Sequence, residues 1–447
     1  MKEKVYLESL GCAKNLVDSE VIAGCLRKYG YTFTTSKEEA DIIIVNTCAF
    51  IKDASREAVD TILELALLKK EGRCRRLVVA GCLPQRYGEQ LVHELKEVDL
   101  FVGVGEFQKI GELLKQKREE YSPPSLHINT PTFLLDHTTP RILSTPPHTA
   151  YVKIAEGCTH HCSFCTIPQI KGPYQSRPPE SITTEVKTLT ARGAKEVNLI
   201  AQDTTFYGKD FIPRTDLAYL LKQLSQIEGI EWIRVLYCHP DRFSNALIKT
   251  MREEEKIVNY IDLPLQHISD PILKKMGRRK DSTKIRELIT ELRKNIPTLS
   301  LRTTFMVGFP GETDKDFNLL MDFVKEVEFE HLGAFRYSDE EETDAYSLKG
   351  KVPAQVIEKR YHTLMSAQSQ ISLKNNQKLI GSLQKVLVEG MSSETGVPFG
   401  RTFFQAPEID GIVYLDKGIA AVGEMVEVKI TDASEYDLHA EIQNNVS

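Results

Sequence analysis

Three times in the first hundred residues an apolar strand runs straight into a turn that carries a cysteine: KVYLE into SLGC, DIIIV into VNTC, and RLVV into AGC. The turns present Cys12, Cys48 and Cys82, about 35 residues apart, the length of one strand-helix repeat. Helical stretches lie between them: NLVDSEVIAGCLRKYG, which Asn15 or Asp18 is able to cap, and SREAVDTILELALLKK. Alternating strands and helices imply a parallel sheet, and in such sheets ligands gather at the carboxyl ends of the strands. All three cysteines sit at such ends. This topology would carry residues distant in sequence to one edge of the sheet, where three thiolates could bind a metal cluster. Three buried structural cysteines are the alternative.

A second set lies in EGCTHHCSFCTIP, where Cys158, Cys162 and Cys165 stand in C-x3-C-x2-C spacing with Phe164 directly before the last. The spacing suits three thiolates holding one cubane iron-sulfur cluster and leaving its fourth iron open, whereas a four-cysteine run would supply a ligand to every iron. Zinc sites usually read as two C-x2-C pairs or as Cys/His pairs, and no second such pair follows at a suitable distance. A zinc knuckle or three incidental loop thiols remain the alternative. An open iron implies a ligand from elsewhere, and Phe164 offers a flat apolar wall for an adenine ring. His160 and His161 read as polar loop residues, Cys25 as helix core, Cys74 as part of the charged turn EGRCRR, and Cys238 as a strand-end thiol without two matching partners. GVGEFQ around Gly103 and Gly105 lacks the third glycine of a dinucleotide fingerprint, which excludes NAD.

At 447 residues the chain has room for about two to four domains. The expected class is α/β multidomain: an N-terminal parallel α/β cluster domain over 1–118, a Pro-rich linker over 119–148, a central domain over 149–379, and a terminal domain over 380–447. YSPPSLHINTPTFLLDHTTPRILSTPP has no period of its own and marks the linker. After it come YVKIA, EVNLIA, WIRVLY, YIDL, LRTTFMV and LGAFRY, each followed by a helical stretch. With right-handed crossovers these would curl into a partial (β/α)6 TIM-like barrel with its chemistry at the strands' carboxyl ends. A helix from about Gln355 to Leu379 closes it. The short alternating runs LQKVLVEG, GIVYLD and EMVEVKIT suggest a small five-stranded antiparallel β-barrel. No apolar run approaches the roughly 20 residues of a membrane helix, and the N-terminus lacks an apolar signal core. Nine cysteines fit a reducing compartment, so the chain is expected in the cytoplasm with no membrane partner.

At the C-x3-C-x2-C loop the sequence resembles the radical S-adenosylmethionine (SAM) superfamily. Within it, SLGCAKNLVDSE, VNTCAFI and GCLPQR resemble the N-terminal cluster domain of the methylthiotransferase family. Residues 150–375 resemble that family's radical SAM domain, and the final barrel resembles a TRAM domain, so the likeness covers nearly the whole chain. It implies two [4Fe-4S] clusters, one on Cys12, Cys48 and Cys82 and one on Cys158, Cys162 and Cys165. It further implies SAM, bound at the open iron and reductively cleaved to the 5′-deoxyadenosyl radical. SAM contacts are expected from Phe164, from Arg177 in QSRP as a bidentate partner of the SAM carboxylate, and from Gln202 and Asp203 in AQDTTFYG. Gln266 and His267 in LPLQH, and Gly308, Gly311 and Glu312 in VGFPGE, complete the set. AQDTTFYG departs from the glycine-glycine-glutamate motif of many superfamily members. KGPYQSR departs from the family's arginine-glycine start, with Lys171 in place of arginine, and Lys171 is assigned no role. No residue is assigned as a catalytic acid or base.

The resemblance allows two substrates: adenosine beside the anticodon of transfer RNA, or an aspartate of small-subunit ribosomal protein twelve. Residues 381–447 hold four Lys and Arg against eleven Asp and Glu, a net −7 in a chain of net charge −6. A nucleic-acid surface usually shows a basic footprint, so this barrel disfavours RNA and suits a basic ribosomal protein, met free or on the ribosomal subunit. Glu408 and Asp410 in APEIDG are expected among the recognition charges. SLGCAKNLVDSE and FGRTFFQAPEIDGIVYL also resemble the ribosomal-protein branch of the family more than the transfer-RNA branch. That reading implies a β-carbon methylthio product and an electron donor such as flavodoxin or ferredoxin. The competing readings are a transfer-RNA methylthiotransferase and a non-catalytic iron-sulfur binding or assembly protein.

Overall fold

The computed structural model describes residues 3–116 and 123–443; the expected boundary at 118/119 and the last four residues of the terminal domain lie outside the described residues. A first parallel sheet contains β1 (Lys4–Ser9), β2 (Thr32–Phe33), β3 (Ile42–Thr47), β4 (Arg76–Gly81), β5 (Leu100–Gly103) and β6 (Ser125–His127), in the order β2-β1-β3-β4-β5-β6. β3 is buried at every position and β4 at all but its first, which is why both read as unbroken apolar runs. β1, β3 and β4 are neighbours, with Ser9 opposite Asn46 and Thr47 opposite Gly81. Adjacent strands lie about 4.8 Å apart, so the three cysteine turns emerge side by side. α1 (Ala13–Lys28) follows β1, α2 (Lys52–Glu71) follows β3, and α3 (Cys82–Tyr87) follows β4. Neither expected cap operates on α1. Cys12 is its N-cap, and Asn15 instead donates to the carbonyls of Leu10 (2.6 Å) and Asn46 (3.1 Å).

The described part of the Pro-rich stretch is tied down at two points. Ser125–His127 supplies edge strand β6, and Arg141 donates to Glu20 of α1 (2.7 Å) and to Glu185 of the next unit (2.6 Å).

A second parallel sheet begins with β7 (Thr149–Lys153); β8 (Ala155–Glu156) and β9 (Gln175–Ser176) form a separate antiparallel ribbon. The sheet continues with β10 (Glu196–Ile200), β11 (Trp232–Val235), β12 (Ile257–Gln266), β13 (Ser300–Val307) and β14 (His331–Arg336). Its order β14-β13-β12-β11-β10-β7 leaves the two ends unjoined, the partial (β/α)6 barrel expected. Strand alternation divides its faces. Val197, Leu199, Ile233 and Val235 pack among the surrounding helices. Tyr151, Ile200, Trp232 and Tyr260 pack instead with Val17 of α1 and with Leu387 and Ala406 near the C-terminus. One apolar cluster therefore joins α1 to the second sheet and the terminal barrel.

The terminal barrel closes through β15 (Leu383–Met391), β16 (Pro398–Thr402), β17 (Val413–Lys417), β18 (Met425–Ala433) and β19 (Leu438–Ile442), in the order β15-β16-β17-β19-β18. It is not antiparallel throughout, because β17 and β19 pair in parallel. An odd number of strands cannot alternate direction around a closed ring, so one parallel pair is obligatory. β16 and the loop after it dock on the half-barrel. Buried Arg401 bonds Glu196 (2.6 Å) and Glu389 (2.6 Å), and Arg234 bonds Glu196 (2.9 Å). Asp410 does not belong to an open acidic face. It accepts from the Tyr260 hydroxyl (2.7 Å) and lies 3.3 Å from His331, because it serves this docking, whereas Glu408 is exposed. Among the described residues no helix is long and apolar enough to cross a membrane.

Candidate active site

Cys12 caps α1, Cys48 follows β3, and Cys82 opens α3. Gly11, at φ +92°, lets two of these turns meet: a Cβ there would stand 2.6 Å from the Cys48 Cβ, closer than any side chain tolerates. The thiols act on one another. Burial pushes Cys82 up to about 12, and Cys48 and Cys12 add to the rise. Cys48 is raised by burial and by Cys12. For Cys12 burial acts upward, but the Lys14 ammonium, the Asn15 N–H and Lys171 outweigh it, so this thiol lies below its ordinary value. All nine cysteines are free thiols. Three mutually repelling thiols at one sheet edge, unlocked by any disulfide, fit a cationic metal cluster, which would hold them deprotonated.

The second set follows β8. Burial pushes Cys158 up to about 11 and Cys165 up to about 12, with Cys162 contributing to both. The loop is fixed from outside: Ser163 N donates to Met276 O (3.1 Å), Ser163 Oγ to Lys275 O (2.7 Å), and Ala345 N to Ser163 O (2.8 Å). Phe164 stands in an apolar wall with Ile272, Met276, Met306 and Phe309, against which Cys162 and Cys165 pack. The donor set and its dry wall fit an iron-sulfur cluster and an aromatic ligand beside it.

The other expected contacts divide into distinct surroundings. Gln202 donates to Glu156 (2.7 Å), and its buried Oε1 has no partner. Asp203 is buried, bonded to His160 Nε2 (2.6 Å) and Thr205 Oγ1 (2.6 Å). Gln266 ends β12 at φ +72°. His267 accepts from Ser269 N (2.9 Å) and lies 3.6 Å from Glu312, which accepts from Gly308 N (2.8 Å) and pairs with Arg360 (2.8 Å). A Cβ on Gly308 would meet Ile357 at 2.4 Å, so protein packing by itself requires that glycine, whereas at Gly311 only the movable Lys275 ammonium stands near and it is the φ of +82° that favours glycine. Arg177 is fully buried. It pairs with Glu185 (2.7 Å) and donates to Lys153 O (2.6 Å), tying β7 to the helix Pro179–Ala191.

Several polar residues near the cysteines carry no sequence motif of their own. Asp18 of α1 accepts from Lys153 (2.5 Å) and Lys171 (2.9 Å), and Glu156 accepts from Lys153 (2.6 Å). Lys171, unassigned from sequence, is therefore a buried link between α1 and the half-barrel. Burial lowers its pKa, but Asp18, Glu156 and Cys82 raise it well above its ordinary value. His160 is not a free loop residue, since it stacks on His239 at 4.1 Å. His239 in turn bonds Arg278 (2.6 Å), and burial together with that guanidinium holds its pKa far below the usual range. In the sequence His239 is marked only by its place next to the strand-end Cys238.

A six-stranded parallel half-barrel with a three-cysteine loop after its first strand defines a radical SAM protein, and residues 152–324 match the radical SAM superfamily. Residues 4–103 match the uncharacterized protein family UPF0004 and residues 380–442 the TRAM domain. Over 443 residues the chain is 51% identical to the ribosomal protein uS12 methylthiotransferase RimO of Pelobacter propionicus, covering 99% of this chain and 98% of that one. Identity to RimO of Geobacter sulfurreducens is also 51%, covering 99% of each chain, and to that of Heliobacterium modesticaldum 47%, covering 98% and 95%. The chain belongs to the RimO family of ribosomal protein uS12 methylthiotransferases. Among solved structures, the radical SAM methyltransferase TsrM from Kitasatospora setae superposes with a TM-score of 0.58 at 14% identity, over 87% of this chain and 82% of that one. The cobalamin-dependent enzyme OxsB gives 0.52 at 14% identity, over 83% and 56%. These two likenesses concern the fold.

Proposed function

We propose that this chain replaces a hydrogen on the β-carbon of an aspartyl side chain of ribosomal protein uS12 with a methylthio group. The observation that carries the reading is the pair of separate three-thiol sets, each at the carboxyl ends of a parallel sheet and linked by the buried Asp18–Lys153–Lys171–Glu156 network. Cys12, Cys48 and Cys82 would hold one [4Fe-4S] cluster, and Cys158, Cys162 and Cys165 the other. When bound, the clusters and SAM supply the electron, the radical and the sulfur carrier that substitution at an unactivated carbon needs. The chain's own part is orientation and exclusion of water. Phe164, Met306 and Phe309 offer a dry wall for the adenine. Gln202 Oε1, the unpartnered buried acceptor, is suited to the SAM ammonium. Asp203 steadies His160, whose backbone N–H donates to Cys158 Sγ (3.4 Å).

On this reading residues 1–118 deliver the sulfur, 149–379 generate the radical, 380–447 recognise uS12, and 119–148 tie the first two together. The acidity of the last part supports a basic protein partner over RNA. A flavodoxin or ferredoxin would supply electrons in the cytoplasm. After anaerobic reconstitution the protein should hold about eight iron atoms per chain. Given SAM, sulfide, a reductant and uS12, it should yield uS12 with one methylthiolated aspartate by mass spectrometry. Modification of transfer RNA alone, or absence of SAM cleavage, would overturn the reading.

A further inference from the structure

Lys14 lies on the first turn of α1, two residues after Cys12, and its ammonium stands 3.1 Å from the ring centroid of Tyr237, just beyond the carboxyl end of β11. Its neighbours Lys153 and Lys171 are matched to Asp18 and Glu156. Among the described residues no carboxylate lies within ion-pairing distance of Lys14. Lys14 is half-buried, and a cation withdrawn from water calls for an anion.

Tyr237 is held in place at a conformational cost. Its φ is +60°, a left-handed backbone that a bulky side chain rarely adopts. Both backbone groups are clamped: its N–H donates to Asp262 Oδ2 (2.9 Å), and its carbonyl accepts from Thr204 N (3.1 Å) and Thr204 Oγ1 (3.2 Å). Such strain persists only where the surroundings dictate it, and it aims this phenol at Lys14. The position is central to both cysteine sets. On one side, Lys14 stands on the helical turn that Cys12 caps. On the other side, Thr204 follows the Gln202–Asp203 loop directly, and His239, two residues after Tyr237, stacks on His160 of the second cysteine loop.

A side chain that takes sulfur from one set and loses hydrogen to the other must lie between them. In aspartate the reacting carbon carries a carboxylate, whose charge must find a partner in the same place. We propose that Lys14 Nζ and the Tyr237 hydroxyl form the subsite that binds the carboxylate of the substrate aspartate and selects it over the neutral amide. The proposal rests on the uS12 reading above.

The test uses the reconstituted full-length chain with SAM and no reductant, and two fluorescent uS12 peptides, one with the target aspartate and one with asparagine there. Wild type should bind the aspartyl peptide about ten-fold or more tightly than the other. Lys14→Met should bring the ratio to within about two-fold, Lys14→Arg should keep part of it, and Tyr237→Phe should lower it about three-fold. Iron content and melting temperature separate loss of the subsite from loss of the fold. An undiminished ratio in folded, iron-loaded Lys14→Met overturns the proposal. Should that variant not fold, an undiminished ratio in Tyr237→Phe, which keeps the ring, overturns it equally. Wild type that methylthiolates uS12 while these ratios stay unmoved sinks the subsite alone. Wild type that leaves uS12 unmodified sinks the functional reading instead.

Discussion

Gly11 decides whether Cys12 and Cys48 can share a ligand. Its φ of +92° and the 2.6 Å approach of a would-be Cβ to Cys48 leave no room for alanine. Gly11→Ala should therefore lose about half the iron while the Cys158 set stays loaded; unchanged iron content would show that the two turns can part without consequence. The two sets should also separate by function. Cys48→Ala should abolish methylthio transfer and leave reductive SAM cleavage measurable, whereas Cys162→Ala should abolish both, as chromatography of the cleaved nucleoside would show. At this scale the cysteines were legible because spacing and strand-end placement are local properties of the chain. Lys14, Tyr237 and Lys171 were not, because each draws its meaning from a partner more than a hundred residues away. Arg177 shows the converse: the sequence places it beside the cluster loop, and packing hands its guanidinium to Glu185.

Among the elements, α1 joins the two halves of the site. Its first turn carries Lys14, its second carries Asp18, and Val17 between them enters the apolar cluster shared with the second sheet and the terminal barrel. Asp18→Asn would leave the buried ammoniums of Lys153 and Lys171 short of a counter-charge. Breaking such a pair from one side costs about 3–5 kcal/mol, which denaturant unfolding should register. A second change, Lys171→Met, should recover part of that loss, and a double variant no more stable than Asp18→Asn would count against this account. All six half-barrel strands were readable because each combines an apolar run with a following helix. β2 and β6, of two and three residues, are too short to carry a period, and β6 hides among prolines. They exist because β1 and β5 offer them an edge.

For the whole molecule, the terminal barrel is a structural partner of the half-barrel as well as a candidate recognition module. Burial raises the pKa of Glu196, but Arg401 and Arg234 outweigh it and bring the carboxyl down to about 2, below the unfolded value of 4.5. A depressed carboxylate stabilises the fold fully above its unfolded pKa, and that contribution, about 3 kcal/mol, fades as the pH falls toward 2. Glu196→Gln should lower the melting temperature at neutral pH and flatten its acid decline between about pH 5 and pH 2; an acid limb as steep as wild type would place its origin elsewhere. The same docking separates two acidic residues that look alike in APEIDG. Asp410 is bonded to Tyr260, so Asp410→Asn should act on melting temperature. Glu408 is exposed at the same loop, so Glu408→Lys should leave melting unchanged and weaken uS12 binding. That weakening should be largest at low salt and shrink as ionic strength rises, since exposed charges are screened over about 8 Å at physiological salt. If calorimetric titration with uS12 gave equal affinities for Glu408→Lys and wild type at low salt, the net −7 of residues 381–447 would be a solubility feature of the barrel, and substrate choice would rest on the side chains beside the cysteine sets, Lys14 and Tyr237 among them.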